Sequence, residues 1–378
     1  MPEGAYHVKS PRIFFFILGL TTIFLTCPIT ANAKFVIYHQ RSSALIYHRS
    51  HMRFLNNKAV HYVHVPAHYK RVMSAVHRHT ITAIRGKAVN FTTRYILPFP
   101  GKNGQHWGNP QSIAMTGKKY LYIVYCPTSR HNKGRIVRFN TKALDALGVR
   151  LHPTELRDAY VKKKNHYTHI QKQIHKAIKA GPLFITGHGQ SLAYNWKNHG
   201  MYMWRDKEKA PRVPVNNWGY IQHINLKTLR PDHAIRFRLK SHGMSVPGGH
   251  DLTFDKSGNA YFWSYPGWCA YIYKGRIHHK SVKFRLTKQK LRHLPGTRIQ
   301  SMAYNPKRKR LLMISDDSIA SFPKSGLNGN GHLTNHSFQW NAFTPKREFE
   351  GIAYNSHSGI ANLLVNHVPE ILTSNHTF

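Results

Sequence analysis

Apolar and polar residues alternate in short runs along this chain, and one run recurs. Gln111-Ser112-Ile113-Ala114-Met115 returns as Gln190-Ser191-Leu192-Ala193-Tyr194, His250-Asp251-Leu252-Thr253-Phe254, Gln300-Ser301-Met302-Ala303-Tyr304 and Glu350-Gly351-Ile352-Ala353-Tyr354. Alternation puts the first, third and fifth residues on one face of an extended strand and the second and fourth, mostly small, on the other. Asn195, Asp255, Asn305 and Asn355 come directly after, then a polar or Gly-containing turn, then a second apolar run. Those runs lie at 120–125, 201–204, 260–263, 311–314 and 361–365. Asn, Asp and Gly favour tight turns, so each copy reads as strand, turn and return strand. A second hairpin is expected at 135–144 and 220–229, which share Ile-x-x-[Phe/Ile]-Asn-x-x-x-Leu.

The spacing sets the architecture. Successive motifs start 79, 60, 50 and 50 residues apart. Repeats of this length with about four strands describe propeller blades. The expected fold is therefore an all-β five-bladed β-propeller over residues 88–378, with one helical insertion at about 153–180. In that insertion Thr154 is placed to cap a helix begun by Glu155, with Asp158 in the first turn. Ile170, Ile174 and Ile178 recur at helical spacing, and Gly181-Pro182 stops the run. After the fifth motif there is room for about three strands, and the run 88–97 (AVNFTTRYIL) is the natural supplier of the missing outer strand. Residues 34–87 form a basic, His-rich extension, either partly ordered or a tether.

The N-terminus predicts export. Lys9 and Arg12 precede an apolar run at 13–25, and Ala31-Asn32-Ala33 comes after it. A charged region, an apolar region of this length and a small-x-small site read as a secretory signal peptide over residues 1–33. The run is short for a membrane span, which makes an uncleaved anchor the weaker reading. Two cysteines then remain, Cys126 and Cys269. They fall in blades one and three, which are not neighbours in a ring of five, so no bond between them is expected.

Charge narrows the partner. The chain carries 56 Lys and Arg against 14 Asp and Glu, a formal +42. Such a field draws polyanions from a distance and is screened by salt. For an exported chain the first polyanions met are anionic cell-wall polymers or an anionic membrane surface, ahead of any specific nucleic acid. A monomer is the expected state. The 29 His residues add positive charge as the medium acidifies.

Several phrases carry a resemblance. Gly187-His188-Gly189-Gln190-Ser191-Leu192-Ala193 and Gly248-Gly249-His250-Asp251-Leu252 are similar to phrases in secreted proteins of lactic acid bacteria related to the large bacteriocin helveticin J. Met244 before Pro247, and Glu350-Gly351-Ile352-Ala353, fit less distinctively. The similarity covers roughly residues 90–378. It implies a propeller and a cell-wall-directed or antibacterial role. Its motifs are short and carry fold better than function, and residues 34–87 have no counterpart in it.

Candidate chemistry gathers where the inner strands of a propeller begin. Gln111, Gln190, His250, Gln300 and Glu350 are expected to converge there, with Asp251 beside them and Trp107, His188 and Trp268 at the rim. Asp206, Glu208, Asp316, Asp317 and Glu348 also fall in loops at this end. The structural reading is that these groups cap strand ends and bond one another or water. The functional reading is a polar ligand site, holding a cation or a carboxylate pair for sugar chemistry. No motif specifies a reaction: GxSxG, P-loop, HExxH and CxxC patterns are absent. The LPGTR at 294–298 is not read as a sortase signal, because it lies mid-chain without an apolar tail after it. The pairs His61/His64 and His166/His169 are what so many His produce by chance, so neither a metal nor another cofactor is expected. The leading expectation is a non-enzymatic, bacteriocin-like binding protein of the bacterial envelope. The alternative is a propeller glycoside hydrolase acting on wall or other carbohydrate.

Overall fold

The computed structural model describes residues 35–46, 52–58, 60, 66–69, 78–98, 107–126, 133–161, 164–206, 218–241, 244–246, 251–265, 268–296, 300–343 and 346–378. The signal-peptide reading of residues 1–33 therefore lies outside the described residues. Five antiparallel units surround one axis, giving the five-bladed β-propeller that the repeats predict. The inner strands are Asn109–Thr116, Ala193–Asn195, Thr253–Phe254, Ser301–Asn305 and Glu348–Tyr354. Each pairs with the return strand predicted for it: Tyr120–Cys126, Gly200–Trp204, Ala260–Ser264, Arg310–Ser315 and Ala361–Asn366.

The chemistry of the motif explains the ring. Each hydrophobic cluster sits between two neighbouring blades. Tyr122 and Val124 meet Leu192 and Met203 between blades one and two. Trp204 and Ile235 meet Phe254 and Phe262 between two and three. Tyr261 and Trp263 meet Met302 and Phe322 between three and four. Ile314 and Ile319 meet Phe349 and Leu363 between four and five. Leu364 and Ile371 meet Ile113 and Ile123 between five and one, which closes the circle. The alternation is needed because each blade is covered on one face by the blade before it and on the other by the blade after it.

Closure uses the strand expected for it. Val89–Ile96 pairs with Glu370–Ser374 as the fourth strand of blade five. The preceding segment continues outward around the ring. Arg78–Arg85 forms a hairpin with Val89–Ile96 and also pairs with Gln339–Phe343, the fourth strand of blade four. Leu45–Ile46 and Arg53–Leu55 run parallel to Val282–Leu291 of blade three. Val36–Ser43 runs parallel to Arg230–Arg238 of blade two. The described strands between residues 36 and 96 thus form a belt that adds outer strands to blades two, three and four before completing blade five.

The helical insertion lies between the third and fourth strands of blade one, but its details differ from expectation. Thr154 makes no side-chain cap, and the helix at Glu155–Asp158 has only four residues. The longer helix, His169–Ala177, starts from Thr168, whose side chain accepts from Gln171 N while Gln171 reciprocates. This is a capping box, which satisfies two otherwise orphaned donors. Ile178 ends that helix and opens the strand Ile178–Ala180, so it belongs to the blade. The predicted hairpin at 135–144 is also replaced. Asn140 caps the helix Thr141–Ala146 by accepting from Ala143 N, whereas the matching Asn225 caps a turn by accepting from Lys227 N and Thr228 N. Cys126 and Cys269 are buried, free thiols. Among the described residues, no helix is long and apolar enough to cross a membrane.

Candidate functional site

The first residue of the motif does point to the axis. Gln111, Gln190, Gln300 and Glu350 are all buried. His250 lies outside the described residues. Gln190 Nε2 donates to Gln300 Oε1, and Gln300 Nε2 donates to Asp316 Oδ1 at 2.7 Å. Gln190 also donates to Glu350, and Asn366 Nδ2 donates to Glu350 Oε1 at 3.3 Å. These partners come from blades two, four and five. Blades two and four, and two and five, are not neighbours, so the bonds cross the axis and cap it. Two residues further along, Ile113, Leu192, Leu252, Met302 and Ile352 line an axial channel with room for about 40 Å³. That volume suits a few waters and no sugar ring.

The acids at this end are sealed in. Glu350 is 1 % exposed, and burial, then Glu348 and Asp316 nearby, hold its carboxyl well above the usual range. Its Oε2, like Gln111 Oε1, is buried without a hydrogen-bond partner. Asp317 is pushed up to about 7, mainly by burial and partly by Asp316, although it accepts from the backbone N–H of Arg347. Burial of this kind favours the neutral, hydrogen-bonding form of a carboxyl over the charged one.

Asp251 does a different task from the one its place in the motif suggested. It is the second residue of its copy, equivalent to Ser191. Ser191 Oγ accepts from Trp204 N at 2.9 Å, and Asp251 Oδ1 accepts from Trp263 N at 3.0 Å. Both side chains hold the end of a return strand. Burial holds the Asp251 carboxyl well above the usual range. Ser112 extends the same logic between blades, donating to Gly189 O at 2.5 Å and accepting from Leu192 N at 3.2 Å.

The Gly187-His188-Gly189 loop folds over Asp206. Its Oδ1 accepts from His188 N at 2.7 Å, and Gly189 N adds a second donor. Burial outweighs these bonds and pushes Asp206 up to about 8. Gly187 has φ +64, and a Cβ there would strike the Asp206 carboxylate. Glycine is required by both the conformation and the space.

The two tryptophans assigned to the rim separate. Trp107 is 7 % exposed and packs on Tyr125, Phe139 and Tyr160, between blade one and the helical insertion. It is spent on the core. Trp268 is 48 % exposed and stands at the outer edge of blade three, tilted against Phe54 of the belt with Lys290 Nζ over its ring. His188 remains at the axial end, half-buried.

Sequence reasoning missed how charge is sorted between interior and surface. Asp251, Asp255, Asp316, Asp317, Glu350 and Glu370 are buried, six of the 14 acids, whereas Arg157 and Arg347 are the buried Lys or Arg side chains among the described residues. Arg347 pairs with Glu370, and Lys324 with Asp255 at 2.8 Å. Most of the other described Lys and Arg are exposed or half-exposed, although Arg94 pairs with Asp145 and Arg310 is largely covered. Some stack on aromatics: Arg236 and Arg238 both lie over Trp218, at 4.1 and 4.2 Å. Searches against family models and against curated proteins find no match to this chain.

Proposed function

We propose that this chain is an exported, non-enzymatic binding protein that docks on anionic polymers of a bacterial envelope through its basic outer surface. The observation that carries this reading is the sorting of charge. With six acids buried and Asp145 paired to Arg94, few of the described acids are left to offset the Lys and Arg of the surface. A surface of one sign binds polyanions through many weak contacts and needs no deep pocket. Exposed aromatics under Arg and Lys add flat contact area beside the charge. The N-terminal charged, apolar and Ala-x-Ala pattern supports export, and the resemblance to secreted helveticin J-related proteins supports a wall-directed role. The axial channel, closed by mutually bonded amides and neutral carboxyls, favours binding over glycoside hydrolysis, which needs two accessible carboxyl groups with space for a sugar.

The test is adsorption of the purified protein to isolated bacterial walls with and without teichoic acid, over a range of salt and pH. Binding should fall when teichoic acid is removed, weaken with salt as screening requires, and strengthen from pH 7 to 5 as His residues charge. Adsorption insensitive to salt, pH and teichoic acid would point to a specific sugar pocket and sink the proposal.

A further inference from the structure

The outer edge of blade two carries a separate polar cluster, built by an irregularity in the sheet. His223 lies on the third strand, Gly219–Asn225, directly opposite His233 on the fourth strand, Arg230–Arg238. Asp232 precedes His233, so in a regular strand its side chain would leave by the other face. Here the register slips. His223 pairs with His233 and Ile224 pairs with Pro231, which leaves Asp232 as an extra residue. Such a bulge re-aims a side chain at the cost of ladder bonds. It swings Asp232 onto the face that carries both imidazoles.

The resulting geometry is tight. Asp232 Oδ1 accepts from His223 Nδ1 at 2.8 Å and from His233 Nδ1 at 2.7 Å. The two rings stack with centroids 4.8 Å apart, and one ligand atom from each of the three residues lies within 4.8 Å of the others. His233 Nε2 is buried without a hydrogen-bond partner. His279, from the loop between the third and fourth strands of blade three, brings its ring to 4.6 Å from His233. Tyr38 of the belt reaches His279 Nε2 with its hydroxyl at 3.1 Å. The cluster lines an open groove of about 470 Å³, so an ion can reach it from solvent.

We propose that His223, Asp232 and His233 form a zinc-class divalent metal site, with its remaining position open to water or to His279. Two imidazole nitrogens and one carboxylate are a ligand set that Zn²⁺ takes, at about 2.0–2.2 Å from each atom. Tetrahedral ligands at that distance stand about 3.3–3.5 Å apart. The imidazoles therefore need to withdraw by roughly half an ångström from the carboxylate oxygen, while the widest pair of ligand atoms, now within 4.8 Å, closes toward the same spacing. The ion takes the place of the Nδ1 proton on each ring, and a neutral imidazole then carries its single proton on Nε2 instead. One carboxylate oxygen gripped by two imidazoles is more than a solitary surface Asp needs, and the bulge that creates the arrangement weakens the strand pair. A bound ion would also fix the belt, since Tyr38 and His279 surround the site from two other segments.

Metal titration of the full-length protein tests this. Co²⁺ serves as the visible probe, added after chelator treatment at pH 7.5, with Zn²⁺ as competitor. One equivalent should give the intense visible bands of a tetrahedral site, and Zn²⁺ should erase them. Asp232→Asn and His223→Gln should each weaken Co²⁺ binding by about tenfold or more, with the far-ultraviolet dichroism unchanged. The control His166→Gln/His169→Gln should bind like the parent. Zn²⁺ should raise the thermal midpoint of the parent and not of the two site variants. Absence of tetrahedral bands at one equivalent overturns the proposal. So does tight binding that survives both site variants, because the ion would then sit elsewhere among the His residues.

Discussion

The axial end of the ring and the outer edge of blade two both gather carboxyl and nitrogen groups, and they treat them in opposite ways. At the axis, Gln190 bonds across the ring to Gln300, which in turn bonds Asp316, while Asn366 bonds Glu350, and burial raises the Glu350 carboxyl well above the usual range. At the edge, Asp232 is about one third exposed and holds two imidazoles beside an open groove. The first arrangement fixes the ring and offers little to a ligand. The second leaves its groups within reach of solvent. Polar convergence in a propeller is thus no guide to function until burial and partners are known.

The largest effect should come from breaking the interior ionic contact. Arg347 is fully buried, donating to Glu370, Asn366 O and Val368 O. Arg347→Met strands the Glu370 carboxylate and should cost about 3–5 kcal/mol in urea unfolding. A cost near zero would show that the axial end tolerates an unpaired charge and is not sealed.

Next in size is the pH dependence. Asp206 and Asp317 titrate in the folded protein at about 8 and about 7, above an unfolded value of about 3.9. Between those limits the folded state binds more protons than the unfolded one, so stability rises as pH falls. Asp255, held below the usual range on balance by Lys324 and Asn259, acts in the opposite sense, but only in the acid region near pH 4 and below. Thermal midpoints in high salt should therefore be higher at pH 5.5 than at pH 8.5. The reverse order would mean that these carboxyls are ionised and hydrated.

A smaller and more pointed effect is expected from Glu350→Gln, which restores the residue of three sister blades. It should lie within about 1 kcal/mol of the parent at pH 5.5, where the carboxyl is neutral. At pH 8.5 it should be the more stable protein, since an amide has no charge to bury. Loss of stability at both pH values would show that the carboxyl makes a contact no amide replaces.

The smallest effect on folding belongs to the surface. Arg236→Ala/Arg238→Ala uncovers Trp218 and should change unfolding free energy by no more than about 0.5 kcal/mol. Wall adsorption should nevertheless weaken, with a shallower salt dependence. Unchanged adsorption would move the docking surface away from blade two.

Much of the fold was legible because its cause is periodic. Each motif must bury both faces between neighbouring blades, so alternation of large and small residues survives in every copy. The closing strand at 88–97 was legible for the same reason. The belt at 36–55 was not: it adds mainly backbone pairing at a blade edge, and Val36 and Ile37 remain exposed. Identical motifs also diverged, since Asn140 caps a helix and Asn225 a turn, and the residues next in the chain decide which forms. Thr168 with Gln171 was a readable capping box that Thr154 displaced. At the site, the convergence of Gln190, Gln300 and Glu350 was visible, but whether they face a ligand or one another depends on the opposite side of the ring. Asp232 was invisible because its role depends on a bulge, and a bulge is a property of pairing register.

The strand pair Val89–Ile96 with Glu370–Ser374 has a consequence for how the molecule is made. Segments separated by some 280 residues must find each other before blade five exists, so every segment of the belt waits for a partner synthesised long after it. Non-local pairing of this kind slows folding. The outer strand of blade five therefore cannot be seated until residues 370–374 have been made, although the inner strands of the earlier blades pair with neighbours in sequence. Trimming a few residues from 370–374 should therefore loosen the belt at the far end of the sequence, and protease sites near residue 96 should become accessible together with those near 370.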